Sequence, residues 1–341
     1  MSTKSTIRIS FRWLLIATIV LFLIGMFGGF VGQQFWQTPM PLSIGDGQRI
    51  VAPVQEVTIS PNTAVEKVVR EANRSVMGLV RATDTTTTPI ANGFVITNDG
   101  LIVTTTDAAR LPLTAIDEIG QLLPLNEVGT DELFGLTYYR LPDTVVVPLD
   151  TSQTDPLAGQ VHLLLGRAPD TFTARVESFA VTGAILPDSA APAAWQQLLL
   201  GTGGQRTLPG APLLDEAGRV SGILVSGSAG HVLPISQLQE SIDRVLAERR
   251  EVNPFADYGF TVNWLFARAQ ETGPLAFSAV VANTTPSSPA ARGGLARGDI
   301  IIGIDDEPLA WDSSFVDALS VPDPTITVRR DGEELRLPLR R

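Results

Sequence analysis

Short apolar runs separated by turn residues fill the middle of the chain and restrict the folds that it can adopt. Between residues 77 and 235 these runs are rich in Val, Ile and Leu, and Gly, Pro or Asp interrupts each of them. Strands at this spacing, without helical patterns between them, predict an all-β sandwich or barrel. The triplets Asn98-Asp99-Gly100 and Glu216-Ala217-Gly218 lie between apolar runs and predict hairpin turns.

Helical periodicity is found at the borders of this β region. Residues 62–80 show apolar side chains at helical spacing before the stretch runs into a strand. Residues 234–252 predict a helix that closes the region, with Leu238, Ile242 and Val245 on one face.

A second unit follows from residue 255 to the last residue of the sequence, Arg341. Its pattern predicts strands, one short helix near residues 313–319, and a final hairpin that turns at Asp331-Gly332.

A stretch without any charge, residues 13–32, lies near the N-terminus. Twenty helical residues span roughly 30 Å, the thickness of the hydrocarbon core of a bilayer. The stretch therefore predicts a transmembrane helix. Gly25 and Gly29 form a Gly-x-x-x-Gly pattern, which indicates either a helix-packing face or a chance match.

The charges that flank this stretch predict its orientation. Lys4, Arg8 and Arg12 precede it, and the next charge along the chain is Asp46. The positive-inside rule then places residues 1–12 in the cytoplasm and the bulk of the chain in the periplasmic or extracytoplasmic space. A cleaved signal peptide is the alternative, although the run is long for one and no Ala-x-Ala site follows.

Residues 33–61 connect this predicted helix to the β region. Four prolines interrupt the segment, which predicts a linker of low helicity.

The composition excludes several classes of function. The net charge is −11 and the lysines are Lys4 and Lys67, so a nucleic-acid partner is not expected. The absence of cysteine removes disulfides, thiolate ligands and cysteine nucleophiles. Two histidines without cysteine leave no convincing zinc site, and we expect neither a metal nor a cofactor.

Three segments together carry a resemblance to a known family. Residues 91–109, "ANGFVITNDGLIVTTTDAA", resemble the pattern Gly-Ser-Gly-Phe-x-Ile…Asp-Gly-x-Ile-x-Thr-x-x-His-Val. Residues 148–169 resemble Gly-Asp-Ser…Gly-x-x-Val-x-x-x-Gly-x-Pro, and "VLPIS" at 232–236 is similar to the segment that enters the last helix. In this order and spacing, the segments resemble the HtrA family of membrane-anchored serine proteases, closest in layout to the DegS type.

The resemblance implies a mainly β protein with three parts. These are an N-terminal transmembrane helix, a trypsin-like double β-barrel over residues 62–252, and a C-terminal PDZ domain of α+β type over residues 253–341.

The catalytic triad of the family is degenerate in this chain. The resemblance assigns the histidine position to Asp107, the aspartate position to Gly135 and the serine position to Pro209. Asp131 keeps an earlier acid of the same pattern, which supports this register. Proline has neither a hydroxyl nor an N–H, so the nucleophile and one oxyanion donor are lost together. We therefore expect no catalytic residue at these positions.

The sequence gives little indication of a catalytic nucleophile at other positions. His162 lies within an apolar strand pattern and His231 at the start of a strand, and both are interpreted as structural. Ser228 and His231 are the one close Ser/His pair along the chain, although catalytic pairs converge from separate elements. Lys67 precedes the barrel, which argues against a Ser–Lys pair.

The PDZ-like unit offers a candidate peptide-binding loop. The segment "DYGF", Asp257, Tyr258, Gly259 and Phe260, stands where the family has its carboxylate-binding loop. Successive amides in such a loop can hold the terminal carboxylate of a peptide, which adds as a strand beside the 260s. The candidates for the apolar pocket are Phe260, Val262, Phe315 and Leu319, and ordinary core packing is the alternative for each.

Three functions remain open from the sequence. The first is a membrane-anchored pseudoprotease that binds protein C-terminal peptides and acts in regulation or as a scaffold in the cell envelope. The second is an active HtrA-type endopeptidase in envelope protein quality control. The third is a structural subunit of a larger membrane complex. The resemblance also implies a homotrimer, or a mixed oligomer with an active relative.

Overall fold

A computed structural model describes residues 61–82, 88–107, 112–142, 146–168, 173–268 and 274–341. The predicted transmembrane helix and all but the last residue of the predicted linker lie outside these ranges. Within the ranges, no helix combines the length and the hydropathy needed to cross a bilayer.

The first part of the fold is a seven-stranded antiparallel sheet that follows a helix. Helix α1 (Pro61–Ala72) and a 3-10 turn (Asn73–Ser75) lead directly into the first strand, as the helical spacing predicted. The strands are β1 (Val76–Arg81), β2 (Ala91–Val95), β3 (Leu101–Thr105), β4 (Leu113–Ile116), β5 (Leu122–Pro124), β6 (Asn126–Asp131) and β7 (Leu136–Arg140). Their order is β5-β4-β1-β2-β3-β7-β6, and the predicted turn at residues 98–100 joins β2 to β3.

The second part is a closed six-stranded barrel. Its strands are β8 (Val161–Arg167), β9 (Ala174–Ile185), β10 (Leu198–Thr202), β11 (Pro212–Leu214), β12 (Val220–Ser226) and β13 (His231–Pro234). They close in the order β10-β13-β12-β11-β8-β9. The predicted all-β character of residues 77–235 is therefore confirmed, with one closed barrel and one sheet for which the described residues show no closure.

Helix α2 (Ile235–Leu246) leaves the barrel and packs against both β structures. The three residues predicted for its apolar face, Leu238, Ile242 and Val245, are all buried. They share one core with Phe94 of the first sheet and Leu233 of the barrel.

A buried polar cluster fixes α2 to the first sheet. Arg244 Nε lies 3.0 Å from Asp131 Oδ2, and both side chains are almost fully buried. Ser241 Oγ donates to the same carboxylate oxygen at 3.1 Å, and Tyr138 OH donates to Ser241 Oγ at 2.8 Å. The cluster satisfies each charge with an opposite charge or a hydrogen bond, as burial requires.

The C-terminal unit, residues 253–341, is a sheet flanked by three short helices. The helices are α3 (Pro254–Tyr258), α4 (Pro289–Arg292) and α5 (Phe315–Ser320). The strands are β14 (Phe260–Arg268), β15 (Leu275–Thr284), β16 (Ile300–Ile304), β17 (Glu307–Pro308), β18 (Thr325–Arg330) and β19 (Glu333–Pro338). The main path is β14-β15-β16-β18-β19, with β17 paired to β16. The structure confirms the predicted final hairpin and short helix.

Candidate functional site

The loop around Pro209, which the resemblance assigns to the serine position, is held by one buried asparagine, Asn92 on β2. Its backbone N–H donates to Pro209 O at 2.7 Å, and its side-chain Nδ2 donates to Leu208 O at 3.1 Å. Its Oδ1 accepts the Arg167 N–H at 2.7 Å, and its carbonyl accepts Thr104 Oγ1 at 2.7 Å. Asn92 is fully buried, so the loop is tied to β2, β3 and β8 at a single residue.

The two amides of this loop that correspond to the oxyanion donors of trypsin-type proteases are not available to a substrate oxygen. In trypsin-type proteases the oxyanion is held by the amides of the nucleophile and of the residue two positions before it. Here Pro209 has no amide hydrogen, and the Thr207 N–H donates to Gly204 O at 3.0 Å. The Gly210 N–H donates to Leu224 O at 2.7 Å. Charge developing on an oxygen at this loop would find no donor from Thr207, Pro209 or Gly210 in this conformation.

The position assigned to the aspartate is closed by a distant proline. Gly135 has a left-handed backbone with φ +63°, and a Cβ there would lie 2.6 Å from Pro192 Cγ. The indole of Trp195 fixes the same segment, because its Nε1 donates to Phe134 O at 2.7 Å. Ala194 N–H donates to Leu133 O at 3.0 Å. An aspartate side chain at 135 would therefore require both a strained backbone and displacement of Pro192.

The structure does bring the three assigned segments together. Thr106 N–H, next to Asp107, donates to Gly135 O at 2.9 Å. On the other side, a Cβ built on Gly210 would lie 2.7 Å from Thr104 Oγ1. Asp107 itself lies exposed in the turn after β3. The ends of β3 and β7 and the loop at Pro209 thus form one neighbourhood, which contains neither a histidine nor a hydroxyl nucleophile at the assigned positions.

A Ser–His contact that the sequence analysis missed lies inside the closed barrel. Ser221 Oγ is 3.0 Å from His162 Nδ1 and 3.1 Å from Leu213 O. With the proton on Nδ1, the ring donates to Ser221 and the hydroxyl donates to Leu213 O, whereas with the proton on Nε2 the ring donates to Gln160 Oε1 at 3.4 Å and accepts from Ser221. Burial lowers the pKa of His162, which favours the neutral ring. Because Ser221 is only 1% exposed, this pair packs as a structural element.

The pair that is close in sequence, Ser228 and His231, is not joined by a hydrogen bond in the part of the chain that the structure describes. Ser228 is exposed, and its Oγ lies 3.5 Å from Ser226 Oγ. Among the same residues, no group of three or more His, Asp or Glu side chains could hold a metal ion.

The candidate carboxylate loop of the C-terminal unit forms the end of helix α3. Asp257 N–H donates to Asn253 O and Gly259 N–H to Phe255 O, both at 2.8 Å. Gly259 adopts a left-handed φ of +73°, which lets the helix end there. The amides of Asp257 and Gly259 are therefore already paired in this conformation. Tyr258 is fully buried, and its OH donates to Val321 O at 3.3 Å.

Two of the pocket candidates, Phe260 and Phe315, pack against one aromatic side chain, Phe255. Its ring centroid lies 5.7 Å from that of Phe260 and 5.6 Å from that of Phe315. Phe260, Phe315 and Leu319 are at most 2% exposed, whereas Val262 is half-buried. The structure thus brings strand β14 and helix α5 together, and Val262 is the candidate that keeps accessible surface.

Strand β14 lies at one end of the sheet path. It pairs with β15 over its whole length, and the described residues place no strand on its other side. An edge strand has unpaired backbone N–H and C=O groups that can pair with an added peptide strand.

Among the residues that shape this site and that the sequence analysis missed, only Asn92 carried a signal in the sequence. Asn92 replaces the serine of the family pattern Gly-Ser-Gly-Phe, a departure that could have marked it. Pro192 lies far from Gly135 in sequence, and the contact between Ser221 and His162 spans 59 residues. No local pattern reports such long-range contacts.

No protein-family model and no curated protein matches this chain. Solved structures do match its fold. A structure of the HtrA-type protease AlgW with a tripeptide has a TM-score of 0.60 and 17% identity, over 81% of this chain and 95% of that chain. AlgW with a decapeptide has a TM-score of 0.58 and 17% identity, over 81% and 97%. The serine endoprotease from Yersinia pestis has a TM-score of 0.53 and 16% identity, over 81% and 96%. At these identities the likeness shows the fold alone, so the chain has the mainly β, barrel-containing fold of HtrA-type proteases.

Proposed function

We propose that this chain is a pseudoprotease, an HtrA-like protein that binds peptides and does not cleave them. The observation that carries the proposal is the loop at Pro209, which offers neither a nucleophile nor a pair of oxyanion donors. Removing a single donor of this kind costs about 10²–10³ in rate where it has been tested. Here the nucleophile, one donor and the general base are replaced together, so an active endopeptidase would need another site.

The edge of β14 supports peptide binding as the retained activity of the C-terminal unit, which we propose is a PDZ domain. A peptide added as a strand would pair with the backbone of β14 and direct a side chain toward the half-buried Val262. AlgW has been solved with a tripeptide and with a decapeptide, which makes peptide binding a natural proposal for the same fold.

The terminal carboxylate of the peptide would lie near Asp257–Phe260. Because the Asp257 and Gly259 amides already donate to Asn253 and Phe255, the loop must rearrange or use its other amides. We expect micromolar affinity, about 8 kcal/mol, since ordering a flexible peptide offsets much of the contact energy.

A peptide-library screen on the full-length chain in non-ionic detergent tests this proposal. C-terminal amidation of each hit should weaken binding about tenfold or more, because it removes a charge and an acceptor. Val262→Asp should also abolish binding, whereas Val161→Asp, at an exposed valine of the barrel, should leave it unchanged. If no peptide binds, or if amidation has no effect, the structural-subunit function replaces this one.

We further propose that residues 13–32 anchor the protein in a membrane, with residues 33–341 on the extracytoplasmic side. Protease added from that side should digest the chain from residue 33 onward and spare the first dozen residues. A soluble mature form that begins near residue 33 would contradict the anchor and support a cleaved signal peptide. The homotrimer, or mixed oligomer with an active relative, remains a proposal that rests on the resemblance alone.

A further inference from the structure

A large cleft lies between helix α2 of the barrel region and residues 311–317 of the C-terminal unit. Its volume is about 1320 Å³, more than a typical small-molecule pocket needs. It is lined from the barrel side by segments around Asp155 and Gln196 and by α2, and from the other side by Trp311 and α5. The cleft is separate from the loop at Pro209 and from the edge of β14.

The charge of the cleft is predominantly negative. Its lining carboxylates are Asp155, Glu240, Asp243, Asp312 and Asp317. The lining cations are Arg244 and Arg249, and Arg244 is already paired with the buried Asp131. An excess of acidic groups around a concave surface favours a cationic ligand.

Two residues that line the cleft each carry a buried polar atom without a hydrogen-bond partner, and one of these atoms is a donor and the other an acceptor. Gln196 is 5% exposed, and its Nε2 is a buried donor without an acceptor. Glu240 Oε1 is a buried acceptor without a donor. Because unpaired buried polar atoms are costly, a ligand that supplies both an acceptor and a donor would be favoured.

The exposed indole of Trp311 adds a third recognition element. It is 51% exposed although it is a large aromatic side chain, and it lines the same cleft. The face of a tryptophan ring attracts ammonium and guanidinium groups.

We infer that this cleft binds a basic segment of a partner protein, with an Arg or Lys side chain on Glu240. The guanidinium or ammonium group supplies donors to Glu240 and contacts Trp311. A backbone carbonyl of the same segment accepts the Gln196 Nε2–H. A bare metal ion supplies no acceptor and leaves Gln196 unpaired, which is why a peptide fits the cleft better.

The probe is the peptide Gly-Gly-Arg-Arg-Gly-Gly-amide with a fluorophore on its N-terminal amine, titrated into the full-length chain in non-ionic detergent at low salt. Its amidated end prevents it from reporting on the carboxylate loop of the proposed PDZ domain. The matched neutral probe replaces both arginines with citrulline, which keeps the shape and removes the charge. Anisotropy should show saturable binding of the arginine peptide and at least tenfold weaker binding of the citrulline peptide.

Substitutions then locate the site. Glu240→Gln should weaken binding about tenfold, and Trp311→Ala about threefold. Glu71→Gln removes an exposed carboxylate of α1 outside the cleft and should change nothing. Thermal unfolding of each variant confirms that it is folded, and Trp311→Ala alters an exposed side chain with little risk to the core.

Equal affinity for the arginine and citrulline peptides would overturn the proposal, as would unchanged binding in both cleft variants. These outcomes are distinct from a failure of the proposed PDZ activity, because that activity requires a free C-terminus and Val262.

Discussion

At the scale of single residues, Gly135 and Pro192 determine whether the aspartate position of a triad could be rebuilt. Gly135 provides a left-handed backbone, and Pro192 Cγ occupies the space that a Cβ would need. A single substitution is therefore not sufficient to restore an acid at this position. The neighbouring segment has to move as well.

We predict that Gly135→Ala lowers the free energy of unfolding by about 2–4 kcal/mol, from the left-handed strain and the clash together. Combining it with Pro192→Ala should recover the part due to the clash, because Pro192 Cβ lies at an acceptable 3.6 Å. Denaturant unfolding of both single variants and the double variant measures this coupling. Additive losses would show that Pro192 does not close the position.

Glu240 makes the stability depend on pH. Burial raises the pKa of Glu240 from 4.5 to about 7, with Asp317 and Asp131 raising it further and Ser314 and Arg244 opposing this. The folded state thus holds the proton more tightly than the unfolded state. The resulting stability is present below pH 4.5 and is lost as the pH rises toward 7.

We therefore predict that Glu240→Gln stabilises the protein at pH 8 by roughly 1–3 kcal/mol, since the neutral amide does not carry the buried charge. Near pH 4.5 the difference should be small. Unfolding curves for both proteins at the two pH values test this. A gain that is equal at both pH values would exclude the ionisation of Glu240 as its cause.

At the scale of elements, helix α2 depends on the ion pair between Arg244 and Asp131. Arg244→Met leaves a buried carboxylate without its cation and should cost about 3–5 kcal/mol of unfolding free energy. In Asp131→Asn/Arg244→Met the orphaned charge is gone, and the loss should be clearly smaller. If the double variant is as unstable as Arg244→Met alone, packing of the Arg244 stem, and not its charge, holds the helix.

Elements with strong local signals could be predicted from the sequence, and elements without them could not. Two hairpins were predicted from the turn residues Asp331-Gly332 and Asn98-Asp99-Gly100. Helix α2 was predicted from the spacing of Leu238, Ile242 and Val245. Helices α3 and α4 were missed because five and four residues are too short to show periodicity. Their signals were the caps Asn253 and Ser288, each followed by proline at the first helical position.

For the candidate site, the sequence predicted only those features that follow directly from the type of residue at a position. At Pro209, the residue type alone predicts that a hydroxyl and an amide hydrogen are absent. Other features of the site depend on backbone geometry. These are the hydrogen bond from Thr207 N–H to Gly204 O, the contact of Pro192 with Gly135, and the pairing of the Asp257 and Gly259 amides. These contacts arise from the way in which the sheet, the barrel and the helices pack, and single residues do not encode them.

At the scale of the whole molecule, the chain has the fold of HtrA-type proteases, and we propose that its loop at Pro209 lacks the groups for acyl transfer. A fluorophosphonate probe added to the full-length chain, with trypsin as the labelled control, tests this most directly by intact-mass spectrometry. We predict no mass increase for this chain under conditions that label trypsin completely. Stoichiometric labelling of Ser221, Ser228 or any other serine would contradict the pseudoprotease function.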